Sequence, residues 1–337
     1  MKNMITSHRV SKLSLMVKRL LAMFIVVALM ASQAGCGNII SSKKKEMIFA
    51  TGGTSGTYFS LGDAMANILN TKLSNSTLAI YSTGGSGENI RLISERKADL
   101  AIVQNDVMYY AYTGTDLYAD KGTFTEFSAV AGIYDECVQI VTCRDDIHTV
   151  DDLRGKIVSV GDSGSGVEFN ARQILSAYGM TFSDIHAENS SFANSADNLA
   201  DGSIDAAFIV AGLPTKAVMD LSEKNAVHLV AIDDEHVKIL QENYSFYTRS
   251  TVPDGTYPGL NESTDTVSVR ATLIASNRLE RDKVYELLTL LFSEKEKISA
   301  GEKNFSTFEL EDSLKGIDIP FHKGARKYYE EQGVEGF

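Results

Sequence analysis

The chain has 337 residues and a formal charge of −12, with 44 acidic residues against 32 basic ones. A surface that acidic repels phosphate backbones and anionic headgroups, which excludes nucleic acid as a partner. Six scattered histidines show no ligand spacing, so no metal centre is expected.

Residues 1–35 contain five basic side chains (Lys2, Arg9, Lys12, Lys18, Arg19) and no acid. The apolar run "LLAMFIVVALM" from Leu20 to Met30 comes next, then small residues. This is the layout of an export signal, too short for a permanent span. Removing it leaves 27 basic against 44 acidic residues and Cys36 at the front. A cysteine there is the residue that bacterial lipoproteins modify with diacylglycerol, although Gln33 stands where an aliphatic residue is usual. Residues 36–45 then read as a lipidated cysteine and polar tether, placing the protein outside the cytoplasm on a lipid anchor, with a plain secretory signal as the alternative.

From Glu46 onward, strand and helix patterns alternate, the signature of an α/β fold with mostly parallel sheets. "MIFAT" is a strand, and "GGTSG" opens a helix with Leu61, Met65, Ile68 and Leu69 on one face. "LAIYS" is the second strand, "TGGSGEN" starts a second helix, and "ADLAIVQ" is the third strand, with Asn105 or Asp106 placed to cap the helix after it. Cys137 and Cys143 flank the strand "VQIVT", which holds them about 20 Å apart, too far for a disulfide. The order then recurs: "GKIVSV", the loop "GDSGSG", the helix "VEFNARQILSAYG", a helix at "SADNLADG" and the strand "SIDAAFIVAG". Gly52 and Gly161 lie 109 residues apart, and Asp99 and Asp205 lie 106 apart. Two similar offsets in the same order indicate two lobes of one design. Residues 246–337 are too sparse in elements for a third core, which gives lobe 1 as 46–136 plus 246–337 and lobe 2 as 137–245. The expected crossings are near Tyr134–Val138 and Asn243–Pro253.

Three loops (51–57, 83–88 and 161–167) share the layout strand, glycine-rich turn, helix N-terminus. Such turns present backbone N–H groups and a helix dipole to an anion. No lysine or arginine lies within them. The Walker fingerprint fails because Gly56 is followed by Thr57 and Tyr58, and the dinucleotide fingerprint because Thr51 stands at its first glycine and the next strand ends in Ser82 and Thr83 rather than an acid. A small carboxylate suits these partial charges better than a polyphosphate. The candidate binding residues are Gly53, Thr54, Ser55, Tyr58, Thr83, Gly84, Gly85, Ser86, Gln104, Asn105, Ser163, Gly164, Ser165, Gly166, Arg172 and Gly212. Arg172 is a candidate for a second carboxylate, against a plain surface pair with Glu168. "GDSGSG" also resembles the nucleophile stretch of trypsin-like proteases, but those need an all-β barrel and a partnered upstream histidine. No nucleophile–base pair is legible, so no catalytic residue, cofactor or metal is assigned.

"TGGTSGTYFSLGDAMANILN", "STGGSGENIRLISERKADLAIVQND", "VSVGDSGSGVEFNARQIL", "GSIDAAFIVAGLPTKAV" and "VPDGTYPGLNESTDTVSVRATLIAS" together resemble the TAXI family, the TRAP-associated extracytoplasmic solute-binding proteins. The resemblance runs in order through the mature chain. It implies a two-lobed periplasmic-binding-protein fold and a monomeric, non-enzymatic protein. That protein would deliver a glutamate-like amino acid or dicarboxylate to a TRAP-type membrane permease. A bilobed sensor presenting its ligand to a receptor is the alternative.

Replacing the expected lipidation site tests the anchor. Cys36→Ser is expected to move the protein from the membrane to the soluble fraction; equal partitioning of both forms would rule the anchor out.

Overall fold

The computed structural model describes residues 44–334 and 337; the export segment, Cys36 and the tether before Lys44 lie outside them. Strand β1 (Lys45–Ala50) leads into helix α1 (Thr57–Leu69), β2 (Ser76–Tyr81), α2 (Ser86–Ser94), β3 (Leu100–Gln104) and α3 (Asn105–Thr113). Strand β1 sits between β2 and β3 and pairs parallel with both. Every residue of β3 is buried, as expected of a parallel strand covered on both faces, so its sequence reads as an unbroken apolar run.

After the 16-residue strand β4 (Phe127–Thr142) the plan repeats as β5 (Ile157–Ser159), α4 (Gly166–Ala177), β6 (His186–Glu188), α5 (Phe192–Asp201) and β7 (Ala206–Ala211). Strand β5 sits between β6 and β7 and is again parallel to both. Two aspartates make the duplication concrete. Asp99 accepts a hydrogen bond from the Ile48 N–H at 3.0 Å, and Asp205 accepts one from the Ile157 N–H at 2.8 Å. Each carboxylate ties the first strand of its half to the start of the third.

The remaining elements are α6 (Lys216–Ser222), β8 (His228–Val230), α7 (Asp234–Asn243), β9 (Thr248–Val252), β10 (Thr264–Ser276), α8 (Arg281–Ser293), α9 (Lys295–Gly301) and α10 (Lys323–Glu331). The strand order is β2-β1-β3-β10-β4-β7-β5-β6, with β8 beside β4 and β9 beside β10. The flanks are parallel, while β10 and β4 join them through antiparallel pairings.

The register of the two long strands sets the geometry of the centre. Gln104, the last residue of β3, is level with Ala271, which is level with Tyr134 on β4. Ala211, the last residue of β7, is level with Cys137. Since β3 runs with β4 and β7 against it, the carboxyl ends of both parallel sets meet between Tyr134 and Cys137.

One core gathers Phe49, Leu61, Met65, Leu273, Leu287, Ile298, Phe305 and Tyr329; another gathers Val158, Ile174, Leu175, Phe208, Tyr247, Val267 and Val269. The chain therefore returns to the first half later than the sequence suggests. Strand β9 pairs with the first part of β10, and Tyr247, Val252 and Tyr257 pack with the second half. Packing changes sides between Val269 and Ala271, at Arg270, rather than near Asn243–Pro253. Cys137 and Cys143 are free thiols. Among the described residues no helix is long and apolar enough to cross a membrane.

Removing either aspartate leaves a strand N–H without its partner. Asp99→Ala and Asp205→Ala are each expected to lower unfolding free energy by about 1–3 kcal/mol, seen as a lower urea midpoint at unchanged slope. Unchanged midpoints would show that the strand starts hold themselves.

Candidate functional site

The three glycine loops fold as they do for local reasons. Gly85 caps α2 with φ of 103° and Gly161 turns the chain after β5 with φ of 84°, values at which a side chain is strained. Glu88, in the first turn of α2, accepts from the Gly84 N–H at 2.8 Å; Glu168, in the first turn of α4, accepts from the Gly164 N–H at 2.6 Å. Ser165 caps α4, its hydroxyl accepting from the Glu168 N–H at 3.2 Å. The two halves thus close their loops with the same device, a glutamate reaching back over its own turn.

These loops converge on a cavity of about 60 Å³ at the level where the strand ends meet. The N-terminal turns of α1, α2 and α4 all reach it, through Gly56–Tyr58, Gly85–Ser86 and Ser165–Val167. First-turn N–H groups have no intrahelical acceptor, so three positive helix ends face one small space. Val167, Phe192, Val210 and Ala211 supply apolar wall, and Gln104, Glu136 and Asp162 supply the remaining polar side chains. Lysine, arginine and histidine are absent from this wall among the described residues.

Of the residues expected from the sequence, Gly53, Tyr58, Gly84, Gly85, Ser86, Gln104, Ser165 and Gly166 lie on the wall. The rest do not. Arg172 is half-exposed, pairs with Glu168 at 3.4 Å and stacks over the Phe182 ring 4.1 Å away, so it is the surface arginine of the alternative reading. Ser163 is exposed at the tip of its turn. Thr54 is exposed at the rim of a separate groove beside Lys216, and the Ser55 carbonyl accepts from the Ala217 N–H. Thr83 is buried but builds its loop, donating to the Thr51 carbonyl and accepting from the Gly85 N–H. Asn105 ties the Gly316 carbonyl and the Arg270 N–H together. The Gly212 N–H donates to the Thr57 hydroxyl behind the wall, and the Gly164 carbonyl oxygen lies close to Gly87 across the cleft.

The groups that sequence reading missed include the acids. Glu136, at the end of the first half of β4, is 2 % exposed. It accepts from the Tyr58 hydroxyl at 2.8 Å and from the Tyr134 hydroxyl at 3.4 Å. Burial pushes its carboxyl up to about 8, against the pull of the Tyr58, Tyr134 and Gln104 side chains; buried Asp106 nearby adds to the rise. Asp162 is half-buried and its carboxyl is also raised, by burial and then by Glu88. The signal available in the sequence was a pair of acids, Asp135 and Glu136, inside the largely apolar run "IYDECVQIV".

The halves touch around the cavity. Asn170 on α4 donates to Asp106 on α3 at 2.9 Å and to the Tyr247 hydroxyl at 2.9 Å. Gln173 donates to the Tyr110 hydroxyl at 3.3 Å, and Phe169 stacks on Tyr118.

Residues 49–333 match the NMT1-like family. This chain belongs to the NMT1-like family. Among solved structures, the NMT1-like chain is similar to a periplasmic transporter at 15 % identity and TM-score 0.51, over 87 % of this chain and 95 % of that one. It is also similar to a protein from Bordetella bronchiseptica RB50 at 13 % identity and TM-score 0.50, over 86 % and 99 % of the two chains. A binding-protein component of an ABC phosphonate transporter from Pseudomonas aeruginosa aligns at 11 % identity and TM-score 0.49, over 77 % and 79 %. The shared fold is that of the bilobed periplasmic binding proteins.

At Gly87 the halves approach backbone against backbone: a methyl group added there would lie 2.2 Å from the Gly164 carbonyl oxygen. Gly87→Ala is therefore expected to hold the cleft apart, giving a larger radius of gyration by small-angle scattering with little loss of thermal stability. An unchanged radius would show that the loops do not meet in solution.

Proposed function

We propose that this NMT1-like protein is an extracytoplasmic solute-binding protein. It captures a small carboxylate-bearing solute between its two halves and passes it to a membrane permease. The observation that carries this reading is the convergence of three helix N-termini on one small, largely buried cavity. That arrangement supplies directed N–H groups and partial positive charge without any cationic side chain. The likeness to a periplasmic transporter supports the transport role, and the resemblance to TAXI proteins favours a TRAP-type permease as recipient. In the same reading Cys36 carries the lipid that keeps the protein at the membrane, and the halves move as two bodies joined through β4 and β10.

Each carboxylate–N–H contact is charge-assisted and contributes roughly 1.5–3 kcal/mol, so two or three of them supply about 3–9 kcal/mol, a range that runs from about millimolar to about micromolar dissociation constants. The test is a thermal-shift screen of the processed protein against amino acids, monocarboxylates and dicarboxylates. At about 100 times its Kd, a solute adds about 2.7 kcal/mol of stability and raises the melting temperature by several degrees. A flat response across the whole set would overturn the reading.

A further inference from the structure

We propose that a proton on Glu136 sets the direction of the Gln104 side-chain amide, so that the cleft captures an anionic solute and a proton together. This inference rests on the solute-binding reading above and adds to it how the site is regulated, by the ionisation of one buried acid.

Three observations carry it. First, the wall that three helix N-termini prepare for an anion also holds Glu136, which is 2 % exposed. An ionised Glu136 and an anionic solute in a cavity of about 60 Å³ repel each other, and among the described residues the wall has no cationic side chain to offset this. Second, the donors around Glu136 are already turned to it. The Tyr58 hydroxyl donates to Oε2 at 2.8 Å, the Tyr134 hydroxyl lies 3.4 Å from Oε1, and the Gln104 side chain donates as well. Third, with its N–H end committed to Glu136, Gln104 leaves Oε1 buried and without a hydrogen-bond partner. That oxygen lies against the first residue of α4, since a methyl group added at Gly166 would fall 1.8 Å from it. An orphaned acceptor on the wall of an anion site costs free energy and repels the anion.

A proton on Glu136 removes both conflicts. A neutral carboxyl has one O–H to donate, and an amide oxygen can accept it. The two ends of a glutamine amide are nearly the same shape, so a half-turn about the last bond exchanges them. Oε1 of Gln104 then accepts the Glu136 proton, and its N–H end takes the place beside Gly166, where a donor favours an anion. Ionised Glu136 draws the N–H end back and leaves the oxygen there instead. The proton comes from solvent as the solute enters and returns to it as the solute leaves.

The groups facing Glu136 fix the direction of the pH dependence. They are Tyr58 from α1, Tyr134 from its own strand, Gln104 at the end of β3 and Asp106 from α3, with the Cys137 thiol next to it. The second half brings Asp162 to the same wall. None of these is a cation, and burial raises the Glu136 carboxyl to about 8. Asp106 is raised to about 6, so Glu136 rather than Asp106 changes charge around pH 8. Burial also pushes up the Tyr58 and Tyr134 hydroxyls and the Cys137 thiol, which keeps them neutral there. The proton-bearing form is the one that binds, so affinity falls as pH rises through about 8.

The experiment is calorimetric titration of the processed protein with acetate, succinate, glutarate and glutamate at pH 7, 8 and 9. Titrations at pH 8 are repeated in two buffers of different ionisation enthalpy. The tightest binder of the four is expected to lose about fivefold or more in affinity from pH 7 to pH 9, and to bring with it about half a proton at pH 8. Glu136→Gln carries a donor that no pH in this range removes. It is expected to bind that compound with a level pH profile and no proton uptake, and more tightly than wild type does at pH 9. Should the variant fail to fold, the wild-type profile and proton count decide the matter by themselves. Wild-type affinity that is level from pH 7 to pH 9, binding without proton uptake, or a variant that keeps the wild-type profile would overturn the proton capture and leave the solute-binding reading standing. No binding by any of the four would overturn both.

Discussion

The whole arrangement depends on one constraint of polarity: the two parallel strand sets run in opposite directions along the same pair of long strands. Strand β10 pairs with β3 over one part of its length and with β9 over the other, and β4, which lies along β10, pairs with β7 toward its far end. Because a parallel set presents its strand-to-helix turns at its carboxyl edge, opposing the two sets turns both edges toward one level of the sheet. Had the second set run the other way, its glycine loops would lie at the far end of the molecule. The cleft is therefore a product of register before it is a product of any side chain.

That register also explains where the unusual charges sit. Glu136 occupies β4 at the level where both sets end, so it is enclosed by both halves and loses nearly all contact with water. An ionised carboxyl there is costly, which is why its affinity for protons rises despite two tyrosine hydroxyls. Nearby helix ends act in the opposite sense on any anion that enters. The cleft thus holds a buried acid with raised proton affinity and three helix N-termini around one small volume.

The sequence shows the duplicated plan because that plan is local. Apolar runs bounded by glycine mark β1, β3, β5 and β7, and the paired aspartates and glycine loops recur at nearly constant spacing. Half of the binding wall was legible for the same reason, since a glycine turn before a helix carries its geometry in a few adjacent residues. What escaped was decided by long-range pairing. Nothing around Glu136 distinguishes a strand acid facing solvent from one buried by two cores, until β7 and β10 are laid against β4. The later return of the chain was hidden likewise, because β9 is exposed along most of its length and owes its place to β10 rather than to a pattern of its own. Arg172 illustrates the reverse error. Six residues past a loop places a side chain on the far side of the helix as readily as on the near one, and Phe182 and Glu168 were there to hold it.

The contacts between Asp106, Asn170, Tyr247, Gln173 and Tyr110 give the facing surfaces a polar lining beside the aromatic contacts of Phe169 with Tyr118 and of Phe246 with Tyr109 and Tyr110. Parting two oily surfaces exposes them to water at a steep and area-dependent cost. Parting a polar seam exchanges each hydrogen bond for one to water, at a net loss of about 1 kcal/mol or less per bond. Separation of the halves is in that sense a wetting process, and water is itself a reagent in it. A seam of this kind can be undone one bond at a time, so the grip on whatever lies inside is set by the occupant more than by adhesion between the walls.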